Sequence, residues 1–174
     1  REVIIVTREN YAQYANIDPI LVQRREAGTL TINAFCNALR VKLLYEHGGV
    51  WLDSTLYLTD DLSADFADYP FYSIHAEYPE CHWTTYCLAS VAGNPLMKYI
   101  YDCFVAVFTR IPAVPEYFLF DEFFHDAYMH IPQVTAMIDA IPVSNNGRIE
   151  LSEQMDSTAA EPTVAPGTYI NKRT

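Results

Sequence analysis

Asp53 is the residue around which chemistry could gather. It follows Val50, Trp51 and Leu52, which are bulky and strand-favouring, and it precedes Ser54 and Thr55. In open α/β sheets, ligands sit at the carboxyl ends of strands. A carboxylate against an apolar strand is costly unless a cation or hydrogen-bond donors meet it. A ligand or a metal ion therefore explains Asp53 better than packing does, although the local pattern also allows an aspartate that merely caps a turn. A second set lies upstream. Asn37, Arg40 and Leu44 are spaced three and four apart and share one helical face. The guanidinium fork of Arg40 suits phosphate or carboxylate, and a salt bridge to an acid at the core edge is the plainer alternative.

The elements that must position these residues lie in one stretch, NALRVKLLYEHGGVWLDSTLYL, from Asn37 to Leu58. Ala38, Leu39, Val41, Leu44 and Tyr45 recur at helical spacing and predict a helix with a broad apolar face. Gly48 and Gly49 follow, and glycine adopts without steric cost the left-handed conformation that ends a helix. The strand after them has apolar residues on both faces, which predicts a strand covered on both sides, as within an α/β sheet.

This stretch resembles the helix-Gly-Gly-strand core of sugar transferases with DXD-type motifs. The resemblance is to the capsular polysaccharide synthesis proteins, related to glycosyltransferase family 32. They typically show a Ser-Asp-x-x-Arg helix and then Gly-Gly-aromatic-x-Asp-x-Thr or Asp-x-Asp. The segments VIIVTRENYAQY, HWTTYCLASVAGNPLMKYIYDCF and PEYFLFDEFFHDAY resemble further family segments in the same order, so the likeness covers Val3 to Asn146. It implies a GT-A-like nucleotide-diphospho-sugar transferase fold, a mixed, mainly parallel sheet flanked by helices. The family's first strand, which contacts the nucleotide base, has no counterpart here, as in an N-terminally truncated or shortened relative.

The resemblance also implies residue roles. Asp53 and Asp121 would be catalytic; Asn37, Arg40, Asp53 and Thr55 would bind the donor; Trp83 and His75 would lie on the acceptor side. Asp53 would also be the metal ligand, with Mn²⁺ or Mg²⁺ as a Lewis acid on the diphosphate. Two departures stand out. Thr55 replaces the second acid of the motif, and a hydroxyl brings no charge. Cys36-Asn37 replaces Ser-Asp, and an asparagine cannot act as an anion. Read from spacing alone, Asp121 is one surface acid among Glu122 and Asp126, Trp83 is a core tryptophan, and His75 is a satisfied structural histidine.

Composition narrows the classes. The chain has 174 residues, enough for one domain with a core, and 51% hydrophobic content excludes global disorder. A net charge of −11 argues against a nucleic-acid surface and against a polybasic membrane patch. A nucleotide diphosphate would then need local positive charge or a divalent cation, and Arg40, Lys42 and His47 are nearest in sequence. No apolar run approaches ~18 residues, so no transmembrane helix is predicted, and no secretory signal opens the chain. Cys36, Cys81, Cys87 and Cys103 lack zinc-type spacing; Cys81-His82 with Cys87 is a weak metal lead, and reduced thiols in a cytosolic protein fit best.

Elsewhere, Val3 to Thr7 predicts a strand in a covered sheet. Asp18-Pro19 and Asn94-Pro95 each predict a helix start, a capping side chain followed by proline. Asp60, Asp61 and Asp65 predict an acidic, solvated connection. Phe71 to Glu77 predicts a strand, Glu116 to His130 an aromatic-faced helix, Pro132 to Ala140 a short helix, and Pro142 to Ser144 a last strand. Residues 1–149 form the expected transferase domain. Residues 150–174, rich in Ser, Thr, Glu, Pro and Ala, form an expected polar, loosely held tail.

The expected function is a glycosyltransferase of hexosyltransferase type. It would move a sugar from a nucleotide-diphosphate donor to a surface or capsular polysaccharide, free or lipid-linked, with retention of configuration by family analogy. It would work in the cytoplasm, at the inner face of the membrane through peripheral association. The alternative is a non-catalytic, degenerate sugar-nucleotide or glycan-binding relative. A structural partner in a synthesis complex is a third class. A glycoside hydrolase ranks below these, because it would need two carboxylates across a sugar cleft and only Asp53 and Asp121 are obvious candidates.

Overall fold

Thr31 opens the helix that carries Asn37 and Arg40: its hydroxyl accepts the Ala34 N–H at 3.2 Å, which satisfies one of the amides a helix start leaves bare. In the computed structural model of the chain, residues 3–62, 66, 68–77, 80–111, 118–155 and 163–173 are described. Contacts divide the chain into two units, Arg1–Gly48 with Val91–His130, and Gly49–Ser90 with Ile131–Thr174.

The first unit is helical. It holds α1 (Tyr11–Tyr14), α2 (Pro19–Glu26), α3 (Ile32–His47), α4 (Pro95–Arg110) and α5 (Leu119–His130). Asp18 and Asn94 cap α2 and α4 as their sequence predicts, each accepting from the second residue after it at 2.9 Å. Gly48 ends α3 at a φ of 69° and a ψ of −158°, not the left-handed helical turn expected but another positive-φ conformation that glycine alone adopts readily. Helix α4 packs against α2, α3 and α5. Its buried stripe of Leu96, Ile100, Phe104 and Phe108 meets Phe120 and Phe123 of α5, and Phe104 and Phe123 stand edge to face at 4.9 Å. The sequence places the start of α5 at Glu116, which lies outside the described residues, as do Pro112 and Pro115.

The run from Val3 to Thr7 is not the strand its β-branched residues predict. It has no regular structure, and Val3, Ile4 and Ile5 are exposed. Propensity makes a strand only where a partner ladder exists. Here the Asn10 side chain takes the backbone instead, accepting the Thr7 N–H at 2.6 Å and donating to the Ile5 carbonyl at 2.9 Å.

The second unit holds the strands. A three-stranded antiparallel sheet runs β1 (Gly49–Leu52), β6 (Cys87–Ser90), β3 (Phe71–Ser73). Two antiparallel pairs accompany it, β2 (Leu56–Leu58) with β7 (Ile170–Lys172), and β4 (Ala76–Glu77) with β5 (Glu80–Cys81). Two helices complete it, α6 (Pro132–Asp139) beside β3 and α7 (Glu150–Met155) beside β7. The sequence suggests a mainly parallel sheet, but the strand pairs among the described residues are antiparallel; the parallel contact is an isolated bridge between His75 and Val143. Parallel strands need a long crossover, and an apolar run by itself does not reveal the direction of its neighbour. Likewise β1 is not covered on both faces. It edges its sheet and Val50 is exposed, whereas β6 and β3 are buried at every residue.

The stretch from Phe71 to Glu77 breaks into β3 and β4, with Ile74 and His75 between them. Pro142 to Ser144 contributes only the Val143 bridge, and Asp65 lies outside the described residues. The last strand comes later, in the stretch expected to be a loose tail. Ile170 and Asn171 of β7 are buried, and Leu56 pairs with Lys172. The latch is Asn145, buried and at a φ of 53°, where asparagine is better tolerated than most residues. Its Oδ1 accepts the Tyr169 and Ile170 N–H groups, each at 2.9 Å. Composition could not show this, because two hydrogen bonds from a distant side chain hold the segment.

Candidate functional site

Asp53 stands one residue beyond β1, half-buried, with Ser54 and Thr55 exposed beside it. Three hydrogen bonds fix this turn. The Asp53 N–H donates to the Tyr86 carbonyl at 3.0 Å, which continues the β1–β6 ladder by one rung. The Leu56 N–H donates to the Asp53 carbonyl at 3.0 Å and closes a four-residue turn. The Trp51 indole N–H donates to Asp53 Oδ1 at 2.8 Å. The carboxylate is thus oriented by a donor two residues before it, as a half-buried anion requires. Below it, burial, with the charge of Asp53 adding, pushes the Cys87 thiol up from 9.0 to about 12.

The strand β7 brings positive charge to this turn. The Lys172 ammonium donates to the Thr55 hydroxyl and lies over the Tyr86 ring, 5.2 Å from its centroid. The Arg173 N–H donates to the Thr55 carbonyl at 2.9 Å. Arg148 is buried and hydrogen-bonds the Tyr86 hydroxyl, and its carbonyl accepts the Lys172 N–H at 2.6 Å. Burial raises the Tyr86 phenol above its ordinary value, and the Arg148 charge partly offsets this. Sequence reasoning missed Arg148 and Lys172 and put the local cations at Arg40, Lys42 and His47. The available signal was the closing run Asn171-Lys172-Arg173, two cations together in a cation-poor chain.

The two residues expected on the acceptor side come together through a third. His75 and His82 stack with centroids 5.5 Å apart, and the half-buried Trp83 lies 6.2 Å beyond His82. Nδ1 of His75 is 2.9 Å from the Ile141 carbonyl, which can only accept, so that nitrogen carries the proton. Ser73 holds the segment in place: its hydroxyl donates to the Thr84 carbonyl at 2.8 Å and accepts the Thr84 N–H at 2.8 Å.

The remaining site residues belong to the helical unit. Asn37 is half-buried on α3, and one turn on Arg40 is buried, its guanidinium 5.7 Å from the centroid of Phe120. Asp121 follows Phe120 in the first turn of α5, where a carboxylate is favoured by the helix dipole. Lys42 is committed elsewhere, to Glu46 at 3.1 Å and to the face of Tyr101.

A divalent ion takes several oxygen ligands, and Mg²⁺ is usually held by one or two carboxylates together with substrate phosphates and waters. The turn offers Asp53 alone, with Oδ1 already accepting from Trp51 and the Thr55 hydroxyl accepting from an ammonium. Among the described residues, no group of three or more His, Cys, Asp or Glu is placed to hold a metal, the Cys81-His82 and Cys87 set included. At this turn the protein by itself supplies one carboxylate, Asp53, so a divalent ion there would take its remaining ligands from substrate oxygens and water. No disulfide joins the four cysteines, and among the described residues no helix is long and apolar enough to cross a membrane.

Among protein families, the model described as capsular polysaccharide synthesis protein matches residues 1–164. No curated protein matches the chain. No solved structure matches it either.

Proposed function

Because the chain belongs to the capsular polysaccharide synthesis protein family, we propose that it is a glycosyltransferase of GT-A type that serves capsule biosynthesis. Its donor is a sugar on a nucleoside diphosphate, and its acceptor is a growing surface glycan, free or lipid-linked, at the inner face of the membrane. The observation that carries this reading is the Asp53 turn. It presents an oriented carboxylate and two exposed hydroxyl residues at the end of a strand, with cations beside it.

In the reaction, the bond between the anomeric carbon and the diphosphate oxygen breaks, and both electrons leave with the diphosphate. The acceptor hydroxyl oxygen bonds the same carbon, and its proton ends on the diphosphate or in solvent. Asp53 accepts a hydrogen bond from a ribose or sugar hydroxyl and so holds the donor in reach. Trp83, braced by His82, offers an aromatic face to an acceptor sugar ring. The roles of Asn37, Arg40 and Asp121 in holding the donor sugar, and retention of configuration, rest on the family resemblance.

A screen of nucleotide sugars by thermal shift tests the reading, since a ligand at about 100 times its Kd stabilises by about 2.7 kcal/mol. One donor should stabilise the wild type, Asp53→Ala should lose that response, and release of nucleoside diphosphate should follow when acceptor is added. Equal stabilisation of Asp53→Ala removes the turn from the site. A second reading, a relative that binds donor without turnover, is favoured by Thr55 standing where a second acid would be, with its hydroxyl engaged by Lys172. It predicts the same thermal response and no release.

A further inference from the structure

Lys172 is a positioned cation. Its ammonium has three donors, and among the described residues it meets a hydroxyl, Thr55, and a ring face, Tyr86, but no carboxylate. That is unusual in a chain with 22 acidic residues and 11 Lys and Arg, where a surface lysine has many possible partners. Arg148 stands behind it on the hydroxyl of the same tyrosine, and the Lys172 N–H on the Arg148 carbonyl, 2.6 Å, holds the two positions together. Tyr86 is also the residue whose carbonyl fixes Asp53. One tyrosine therefore carries the aspartate on its backbone, one cation on its ring and another on its hydroxyl.

We propose that Lys172, backed by Arg148 and set in place by Thr55 and Tyr86, binds the phosphates of a nucleoside diphosphate at the Asp53 turn. The proposal rests on the reading of that turn as the donor site. The leaving group's charge is then met by side chains of the last strand, where a DXD motif would use a second carboxylate and its metal. It also accounts for Thr55. An acid at that position would pair with Lys172 and neutralise it, whereas a hydroxyl positions the ammonium and leaves its charge available to an anion.

The test uses inorganic pyrophosphate as the probe and isothermal titration of the full chain, once in EDTA and once with Mg²⁺. The wild type should bind in EDTA, and more weakly as salt is raised. Lys172→Gln should weaken binding by about tenfold or more, as expected for loss of a charged hydrogen bond, and Lys172→Arg should keep most of it. Thr55→Asp should weaken binding like Lys172→Gln, in EDTA and in Mg²⁺ alike. The proposal is overturned if the wild type binds pyrophosphate only with Mg²⁺ or not at all, if Lys172→Gln binds as the wild type does, or if Thr55→Asp gains affinity with Mg²⁺. Near-UV circular dichroism checks that each variant is folded; should Lys172→Gln not fold, Thr55→Asp and the salt dependence decide. Pyrophosphate binding through Lys172 without turnover of any nucleotide sugar would leave this site standing and remove the transferase reading. Sugar transfer by Lys172→Gln with an unchanged donor KM would do the reverse.

Discussion

The Lys172 ammonium donates to the Thr55 hydroxyl, and this contact joins the last strand of the chain to the turn after Asp53. The two residues are 117 positions apart. Leu56 pairs with Lys172 across the β2–β7 ladder, so the contact is part of the fold and not a passing encounter of a long side chain. A segment that composition marks as loose is thereby held against the turn after Asp53.

The Trp51 indole orients Asp53, so Trp51→Phe should act mainly through that carboxylate. An aromatic ring is kept, though a smaller one, and one hydrogen bond at 2.8 Å is lost. Stability should fall by only about 1 kcal/mol, while the donor KM rises and kcat is largely held. Combined with Asp53→Ala, which removes the Oδ1 that accepts from the indole, the loss should be clearly less than the sum of the two, because both changes remove one interaction. Full additivity in donor binding would show that the indole has no positioning role.

Asn145→Ala should loosen β7. The change leaves the Tyr169 and Ile170 amides without their acceptor and puts a side chain less suited to it at a φ of 53°. Orphaning one buried and one part-buried donor should cost about 2–3 kcal/mol, read from the urea midpoint. Amide exchange should accelerate at Ile170 to Lys172 first. A variant as stable as the wild type would mean that the β2 pairing alone holds the strand.

Gly147→Ala should also destabilise, for a different reason. A Cβ there would lie 2.5 Å from the Ala165 Cβ and 3.0 Å from the Thr168 hydroxyl, and the Gly147 N–H donates to that hydroxyl at 3.1 Å. One methyl group forced into this contact should cost about 1–3 kcal/mol by thermal or urea unfolding. An unchanged midpoint would show that the Ala165 segment shifts aside without cost.

Stability should fall on the alkaline side. Burial holds the Cys87 thiol at about 12 against an ordinary 9.0, and it raises the Tyr86 and Tyr101 phenols in the same sense. An acid whose folded value is raised keeps its proton longer in the folded chain. Between 9.0 and about 12 the unfolded chain therefore binds fewer protons, and stability drops as pH rises; below 9.0 the contribution of Cys87 is fully present. One such proton gives a slope of up to about 1.4 kcal/mol per pH unit, and Cys87→Ala should remove that share of the slope between about pH 9 and pH 11. A slope unaltered by Cys87→Ala would mean that the tyrosines alone set the alkaline limit.

What could be read along the chain was local. Asp18-Pro19 and Asn94-Pro95 start helices because the cap and the proline act within three residues. Gly48 ends α3 because only the backbone there decides it, and Asp53 follows a strand as its neighbours predict. The tertiary structure decided which strands pair, and in which direction. It left Val3 to Thr7 without a strand and made β1 an edge. It also brought Lys172 and Arg148 to Tyr86 and Thr55, far from them in the chain. Propensity and capping are short-range energies, summed over a few neighbouring residues. Pairing direction, burial and the meeting of charges depend on which distant segments share a surface, and no window of sequence contains that information.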